Sequence, residues 1–546
     1  MPQGLVSSIL GSFEFSPIST SCLDVSPALS LDQERKRLIS EATIRHSTIQ
    51  QLASEAAELL AAHNAITPAA ALPPELLSSI FAYLHGSMGI GTDLVQATHV
   101  CKRWRAIALQ DPFLWTSFPL HNILCVRTCL ARSRDRPISL FLTATMPSSM
   151  ELVLARVTRR IGSLYVTIPD AGDIERLLKR LSRPAPLLET LHIAHFYRLD
   201  RSILERPVHA STFPLFGSQL PSLLSVTLHG VKFPFTLPKT LLHLNYAIEH
   251  EDVIFEEILH ILAGVPLLES LKLAGTVELK LESPPNLPTV DLPNLASLVL
   301  KLQDPRSVPR LLSALSLPPS VNVEITTKLT FDDYIMNSFE DIVHGISPAT
   351  HPALRSLSGM RRLEFSWDFI CLRVQARRDP DDYTGTPAWS ITAVGIADGW
   401  MGLLDCWPLL DRSQIEVLVV TREPSPGRNG RHSEGWPALL RSMPALKTLR
   451  VICLGQGDAR RLLEALWDSD ADMDLACPRL ETLEILDVDM SRWVSNLQRL
   501  ALVRGGPCIS GALRRVELFN CRLSATGNWK EFIEKLYDIE VSIDEV

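Results

Sequence analysis

Apolar residues along the 546-residue chain keep two rhythms. Up to about residue 115 they recur three and four apart, the period of a helix face; beyond it they recur two apart after a longer step, the period of a strand. Residues 1–30 hold neither rhythm and are rich in Ser and Pro, which predicts a disordered tail. Residues 32–63 contain no Pro or Gly and are rich in Ala, Glu, Gln and Arg, all compatible with helix. Ile49, Leu52, Ala56 and Leu59 mark one apolar stripe, so an amphipathic helix is expected over 31–66, ending near Asn64 ahead of Thr67-Pro68. The stripe is expected to pack on its own domain. A coiled-coil seam is the alternative, interrupted at Arg45.

Residues 72–118 predict three short helices. Pro73 and Pro74 suit a helix start, where the missing backbone donors have no partner to lose. Leu76, Leu77, Ile80, Phe81 and Leu84 follow at helical spacing, and Gly86, Gly89 and Gly91 then open a loop. Asp93 is placed to cap a second helix carrying Leu94, Val95 and Ala97. Val100, Trp104, Ile107 and Ala108 mark a third, stopped by Asp111-Pro112, with Leu114-Trp115 beyond.

From residue 121 to 546 a helical stretch followed by Pro-x-Leu-x-x-Leu-x-Leu recurs. It appears at Pro186-Leu188-Leu191-Ile193, Pro221-Leu223-Val226-Leu228, Pro266-Leu268-Leu271-Leu273 and Pro293-Leu295-Leu298-Leu300. It returns at Pro444-Leu446-Leu449-Val451 and Pro478-Leu480-Leu483-Ile485, and ends with Leu513-Val516-Leu518-Cys521-Leu523. Weaker strands are expected at Leu140-Leu142, Leu164-Val166, Leu242-Leu244, Val323-Ile325, Leu363-Phe365 and Leu418-Val420. Helices are expected over Val253–Leu262, Ala459–Leu466 and Val494–Ala501. One helix-plus-strand unit has too little core to stand alone, so the units must stack. The expectation is an irregular leucine-rich-repeat-like α/β solenoid; an ordinary doubly wound α/β domain is the alternative. Residues 367–412 break the rhythm with four Trp and an acidic Asp379-Pro380-Asp381-Asp382, and read as a long loop with a helix around 399–410.

At 46% hydrophobic and 21% charged the chain can bury a large core, and a net charge of −8 argues against a general nucleic-acid binder. Ten Cys form no CxxC pair, which fits reduced thiols in the cytoplasm or nucleus. No signal-peptide pattern or membrane span is seen. The loop at Gly86–Gly91 is not a nucleotide motif, and His250-Glu251-Asp252 lacks a second His at metalloprotease spacing. Asp468-x-Asp470-x-Asp472 starts like a calcium loop, but Met473 and Arg479 stand where Gly and Glu are needed. No catalytic residue, metal site or cofactor is therefore expected, and the chain is not read as an enzyme.

The run LPPELLSSIFAYL, then a gap, then DLVQATHVCKRWRAIALQDPFLW, resembles an F-box over residues 67–120. It is especially similar to fungal F-box proteins that carry degenerate leucine-rich repeats. The matching positions are Leu72, Pro73, Glu75, Leu76, Ile80, Leu84, Leu94, Val100, Cys101, Trp104 and Arg105, with Leu114 and Trp115 beyond; the loop at His85–Thr92 is longer and richer in Gly than usual. The resemblance implies docking on the Skp-type adaptor of an SCF-type cullin–RING ubiquitin ligase, with an unknown substrate protein held by the repeats. Leu72, Pro73, Leu76, Ile80 and Leu84 would supply an apolar ridge, and Leu94, Val100, Cys101 and Trp104 the rest of the contact. Read from the residues alone, all of these could be the core of a three-helix domain, and some must be. Pro73 and Leu76 are expected to face the adaptor, with Trp104 shared. A repeat-based interaction scaffold without a ligase partner is the alternative function.

Overall fold

The computed structural model describes residues 31–86, 92–143, 148–168, 174–195 without 175, 178 and 180, 215–231, 237–278, 289–304, 307–328, 359–368, 371–394, 412–422, 436–454, 456–467, 475–491, 494–505, 513–522, 529–537 and 539–544. The expected tail, the Gly-rich loop, the calcium-like Asp run and the helix expected at 399–410 lie outside these residues. The chain divides into a small unit, residues 1–84 and 92–111, and a large one, 85–91 and 112–546.

The small unit is helical. Helix α1 (Leu31–Ala65) draws on its Ala, Glu and Gln content, with Asp32–Lys36, Glu34–Arg37 and Glu41–Arg45 pairing along its surface. Its stripe does not pack as expected: Ile49, Leu52 and Leu59 are 64%, 59% and 73% exposed. A four-residue helix α2 (Pro68–Ala71) follows, then α3 (Pro74–Gly86), α4 (Thr92–Ala97) and α5 (Lys102–Gln110). Two terminal details differ from expectation. Asp93 lies inside α4 rather than capping it, and Val100 lies in the turn before α5. Cys101 caps α5 instead, its Sγ accepting from the Trp104 amide at 3.4 Å. Leu77, Phe81, Leu94, Ala97 and Ala108 form the buried interior.

Among the described residues the large unit carries a seventeen-stranded sheet. Its first strands are β1 (Ser117–Pro119), β2 (Ile138–Leu142), β3 (Ile161–Ile168), β4 (Thr190–His195), β5 (Ser225–His229), β6 (His243–Ile254) and β7 (Ser270–Glu278). The short β8 (Val290–Asp291) and β10 (Leu315–Ser316) pair only with each other. The sheet continues with β9 (Ser297–Leu302), β11 (Asn322–Lys328), β12 (Arg362–Trp367), β13 (Cys371–Arg377), β14 (Trp389–Val394), β15 (Val417–Arg422), β16 (Thr448–Ile452), β17 (Thr482–Leu486), β18 (Arg515–Phe519) and β19 (Glu540–Asp544). Each strand lies parallel to its neighbour in sequence, with one exception: β14 sits beside β11, β13 returns antiparallel, and β12 pairs onward with β15.

The recurrent Pro-x-Leu has a local cause. In each of the six copies the amide of the Leu donates to the carbonyl just before the Pro, as in Leu188 to Ala185, Leu268 to Val265 and Leu480 to Cys477. Pro therefore occupies the second position of a tight turn, where its fixed φ is already correct. The leading Leu drops into the interior, and the two strand residues that follow point the same way. Leu480, Leu483 and Ile485 are 0%, 0% and 2% exposed. Register stacks these positions across strands, with Leu449 opposite Leu483 and Leu483 opposite Val516. Burial of each such Leu is worth roughly 1.5–3 kcal/mol. Along β2, β5, β9 and β17 buried residues alternate with more exposed ones, so the other sheet face stays open to solvent on these strands.

The helices fill the stretches before the turns. Helices α6 (Ile123–Arg132), α7 (Ser148–Val157), α8 (Phe255–Ala263), α9 (Ser307–Ser313) and α10 (Trp436–Arg441) are followed by α11 (Gln456–Trp467), α12 (Val494–Arg504) and α13 (Trp529–Tyr537). The last four pack each on the next. Arg504 of α12 is 1% exposed and donates to the carbonyls of Leu466, Cys477 and Ala476. It thereby satisfies acceptors that the end of α11 and the following turn leave open.

Several expectations need correction. Val253 and Ile254 extend β6, so the helix there begins only at Phe255. The inward pair on β6 is Leu244 and Tyr246, opposite Leu271 and Leu273, rather than Leu242 and Leu244. Within 367–412, residues 371–377 and 389–394 are strands of the sheet rather than loop, with Trp389 fully buried. Between them Asp382 accepts from the Thr384 and Gly385 amides, which form a closed turn, and the Arg362 guanidinium lies 4.2 Å over the Tyr383 ring.

Candidate functional site

Helix α3 divides its apolar residues between two faces. Leu77 and Phe81 are fully buried, whereas Leu76, Ile80 and Leu84 are 51%, 42% and 38% exposed. The exposed three follow an i, i+4, i+8 row, and Tyr83 stands beside them, the most exposed of all. Pro73 is exposed at the start of α3, and its carbonyl accepts from the Leu77 amide. Leu72, half-buried, accepts at its carbonyl from the Arg103 guanidinium at 2.6 Å, which ties the start of α3 to α5.

The second part of the surface comes from α4 and α5. Val95 and Val100 are exposed, and Cys101 and Trp104 are half-buried. The Trp104 ring meets Phe81 edge-on, with centroids 5.3 Å apart at 63°. Such a pair adds about 0.5–1.5 kcal/mol beyond burial and fixes the indole between interior and surface. Leu94 is different: at 2% exposure it belongs to the interior and supports the surface from beneath. Leu72, Pro73, Leu76, Ile80, Leu84, Val100, Cys101 and Trp104 thus retain exposed area, and Leu94 does not. Tyr83 and Val95 were not among the expected contact residues. Leu114 and Trp115 are buried in the large unit, where the Arg132 guanidinium lies 4.2 Å over the Trp115 ring.

The open row on α3 consists of Leu and Ile side chains. What it offers is apolar area: covering a half-exposed Leu or Ile gains roughly 1 kcal/mol. Two buried thiols, Cys129 and Cys477, are held neutral. Burial, then the neighbouring Cys125, pushes Cys129 up to about 12, and burial does the same to Cys477. Among the described residues no group of three or more His, Cys, Asp or Glu is placed to hold a metal ion. No described helix is long and apolar enough to cross a membrane.

The open sheet face changes character along the chain. On β2 to β5, Phe141 stacks on Tyr165 at 4.7 Å, with His192 and His229 continuing the run at 6.0 Å steps. Burial and the neighbouring His229 hold the His192 pKa below its ordinary value. On β16 to β19 the face is ionic, with Arg450–Glu484 at 2.9 Å and Arg515–Glu540 at 3.0 Å. Burial raises the Glu484 pKa, and Arg450 opposes the shift.

The small helical unit thus leaves an apolar row open on α3. Residues 69–120 match the family model described as F-box-like, so the chain contains an F-box-like domain. F-box domains generally bind Skp-type adaptors, and proteins built on them are typically non-enzymatic. No curated protein matches the chain.

Proposed function

We propose that the chain is the substrate-recognition subunit of an SCF-type cullin–RING ubiquitin ligase. The observation that carries this reading is the exposed row of Leu76, Ile80 and Leu84 on a helix whose other side is fully buried, within the F-box-like match. A free-standing domain has no use for that row, whereas an adaptor groove covers it. Pro73, Leu76, Ile80, Leu84 and Val100 make the contact, Leu72, Cys101 and Trp104 border it, and Leu94 acts from below. A cullin is reached through the adaptor.

The sheet unit is the substrate platform. Apart from the β12–β14 return and the β8–β10 pair, strands that follow one another in sequence lie side by side in the sheet, and the alternation of buried and open positions on β2 and β9 leaves one face free there. Both features support a repeat solenoid over a doubly wound domain, whose parallel strands are covered on both faces. The open face holds the substrate protein, and the ligase role is to raise that protein's effective concentration near a bound transferase. Such a receptor needs no cofactor and works in the cytoplasm or nucleus.

The test is a pull-down of purified Skp-type adaptor and cullin by the full chain. Recovery of both supports the receptor. No adaptor bound to the folded chain at micromolar concentration overturns it and leaves a repeat-based interaction scaffold.

A further inference from the structure

A second apolar surface, on α1, is not used by the adaptor site. We propose that α1 is a self-association helix, and that two copies of this chain pair through it as a parallel two-stranded coiled coil.

The first observation is spacing. Leu31, Leu38, Arg45, Leu52, Leu59 and Ile66 are seven apart without a slip, and Arg35, Ala42, Ile49, Ala56 and His63 form the adjoining seven-residue row. Together they make one seam along the helix. A strict seven-residue repeat drifts around a lone straight helix and stays on one side only when two helices wind about each other. The opposite side carries Ser40, Ser47 and Ser54, again seven apart. A helix that packed on its own domain would need only an approximate period.

The second observation is exposure. Leu38, Ile39, Ile49, Leu52, Leu59 and Leu60 are 54% to 73% exposed. A 35-residue helix is about 52 Å long, enough for five heptads. Two copies of these six side chains remove on the order of 1,000 Å² from water, at roughly 60–120 Å² for each fully buried residue. That lies at the low end for specific interfaces, so the dimer is reversible.

Charge selects the orientation. Glu34, Glu41 and Glu55 all lie along one edge of the seam, and Ile39, His46, Ala53 and Leu60 along the other. An antiparallel pair sets the Glu edge against itself; a parallel pair sets it against the apolar edge. Arg45 interrupts the seam but is bonded to Glu41 of its own helix at 2.5 Å, so its charge enters partly neutralised. The pairing does not depend on the ligase reading.

The test is sedimentation equilibrium of the full chain over about 1–50 µM, which spans the weak affinity expected of this area. The wild type is expected to pass from monomer to dimer, and Leu52→Asp/Leu59→Asp to remain monomeric with unchanged circular dichroism away from α1. A wild type that stays monomeric throughout overturns the proposal, as does a dimer that survives the double substitution. A Leu52→Cys variant adds the orientation: mild oxidation is expected to link two chains, with the wild type as control for the native Cys. A dimer that fails to link overturns the parallel register.

Discussion

The two units treat the same residue types in opposite ways. In the sheet unit Leu449, Leu483 and Leu518 are fully buried; in the small unit Leu76, Ile80 and Val100 keep 51%, 42% and 55% of their surface. The sheet unit spends its apolar residues on its own stacking, because each strand relies on the next. The small unit fills its interior with Leu77, Phe81 and Leu94 and has apolar residues left over. Apolar residues left open in a row mark a place for a partner, whereas buried ones mark self-reliance.

The sharpest way to break the contrast is to damage the sheet interior. Leu483→Ala removes a side chain held between Leu449 and Val516 in register, and should cost about 2–5 kcal/mol in urea unfolding of the large unit. Arg504→Leu should cost about 3 kcal/mol, because three buried carbonyls lose their donor at ~1–3 kcal/mol each, partly recovered by water. A stability change under 1 kcal/mol for either would remove its side of the comparison.

A smaller effect is expected at Glu416, where Arg361 and Lys447 converge. The Lys447 hydrogen bond, then that of Arg361, holds its pKa below the ordinary value against a desolvation cost. A lowered carboxyl pKa gives stability that is present above the unfolded value, near 4.5, and lost as pH falls through the folded value. Glu416→Gln should therefore destabilise at pH 7 and approach the wild type near pH 3. An equal difference at both pH values would contradict the assignment.

How far the sequence could be read depends on how strictly each part repeats. The Pro-x-Leu strands were legible because a turn, an inward Leu and a two-residue alternation come in fixed order. On β6 the doublet Leu241-Leu242 blurred that order; Leu241 is the inward residue, and the strand pair falls two later than expected. Strands β13 and β14 were missed because an antiparallel return has no Pro-x-Leu turn, and their Trp, Arg and Gln content resembles loop. Strand β19 was missed because Ile539, Val541 and Ile543 lack a leading Leu. In the small unit helical period found the apolar positions but could not divide them. Leu76 and Leu77 are adjacent and alike, and only the placement of α4 and α5 sends one outward and the other inward. The same limit hid from the sequence that Leu94 is buried and Tyr83 exposed.

The least change in stability and the greatest in binding should come from Leu76→Ala/Ile80→Ala. Both side chains are largely open, so unfolding should shift by no more than about 1 kcal/mol. The deciding measurement is calorimetric titration of Skp-type adaptor into this variant and into the wild type. Wild-type binding is expected at micromolar or tighter concentration, with at least a tenfold loss in the folded variant. Equal affinity in the two would place the adaptor elsewhere and contradict the role given to the open row on α3.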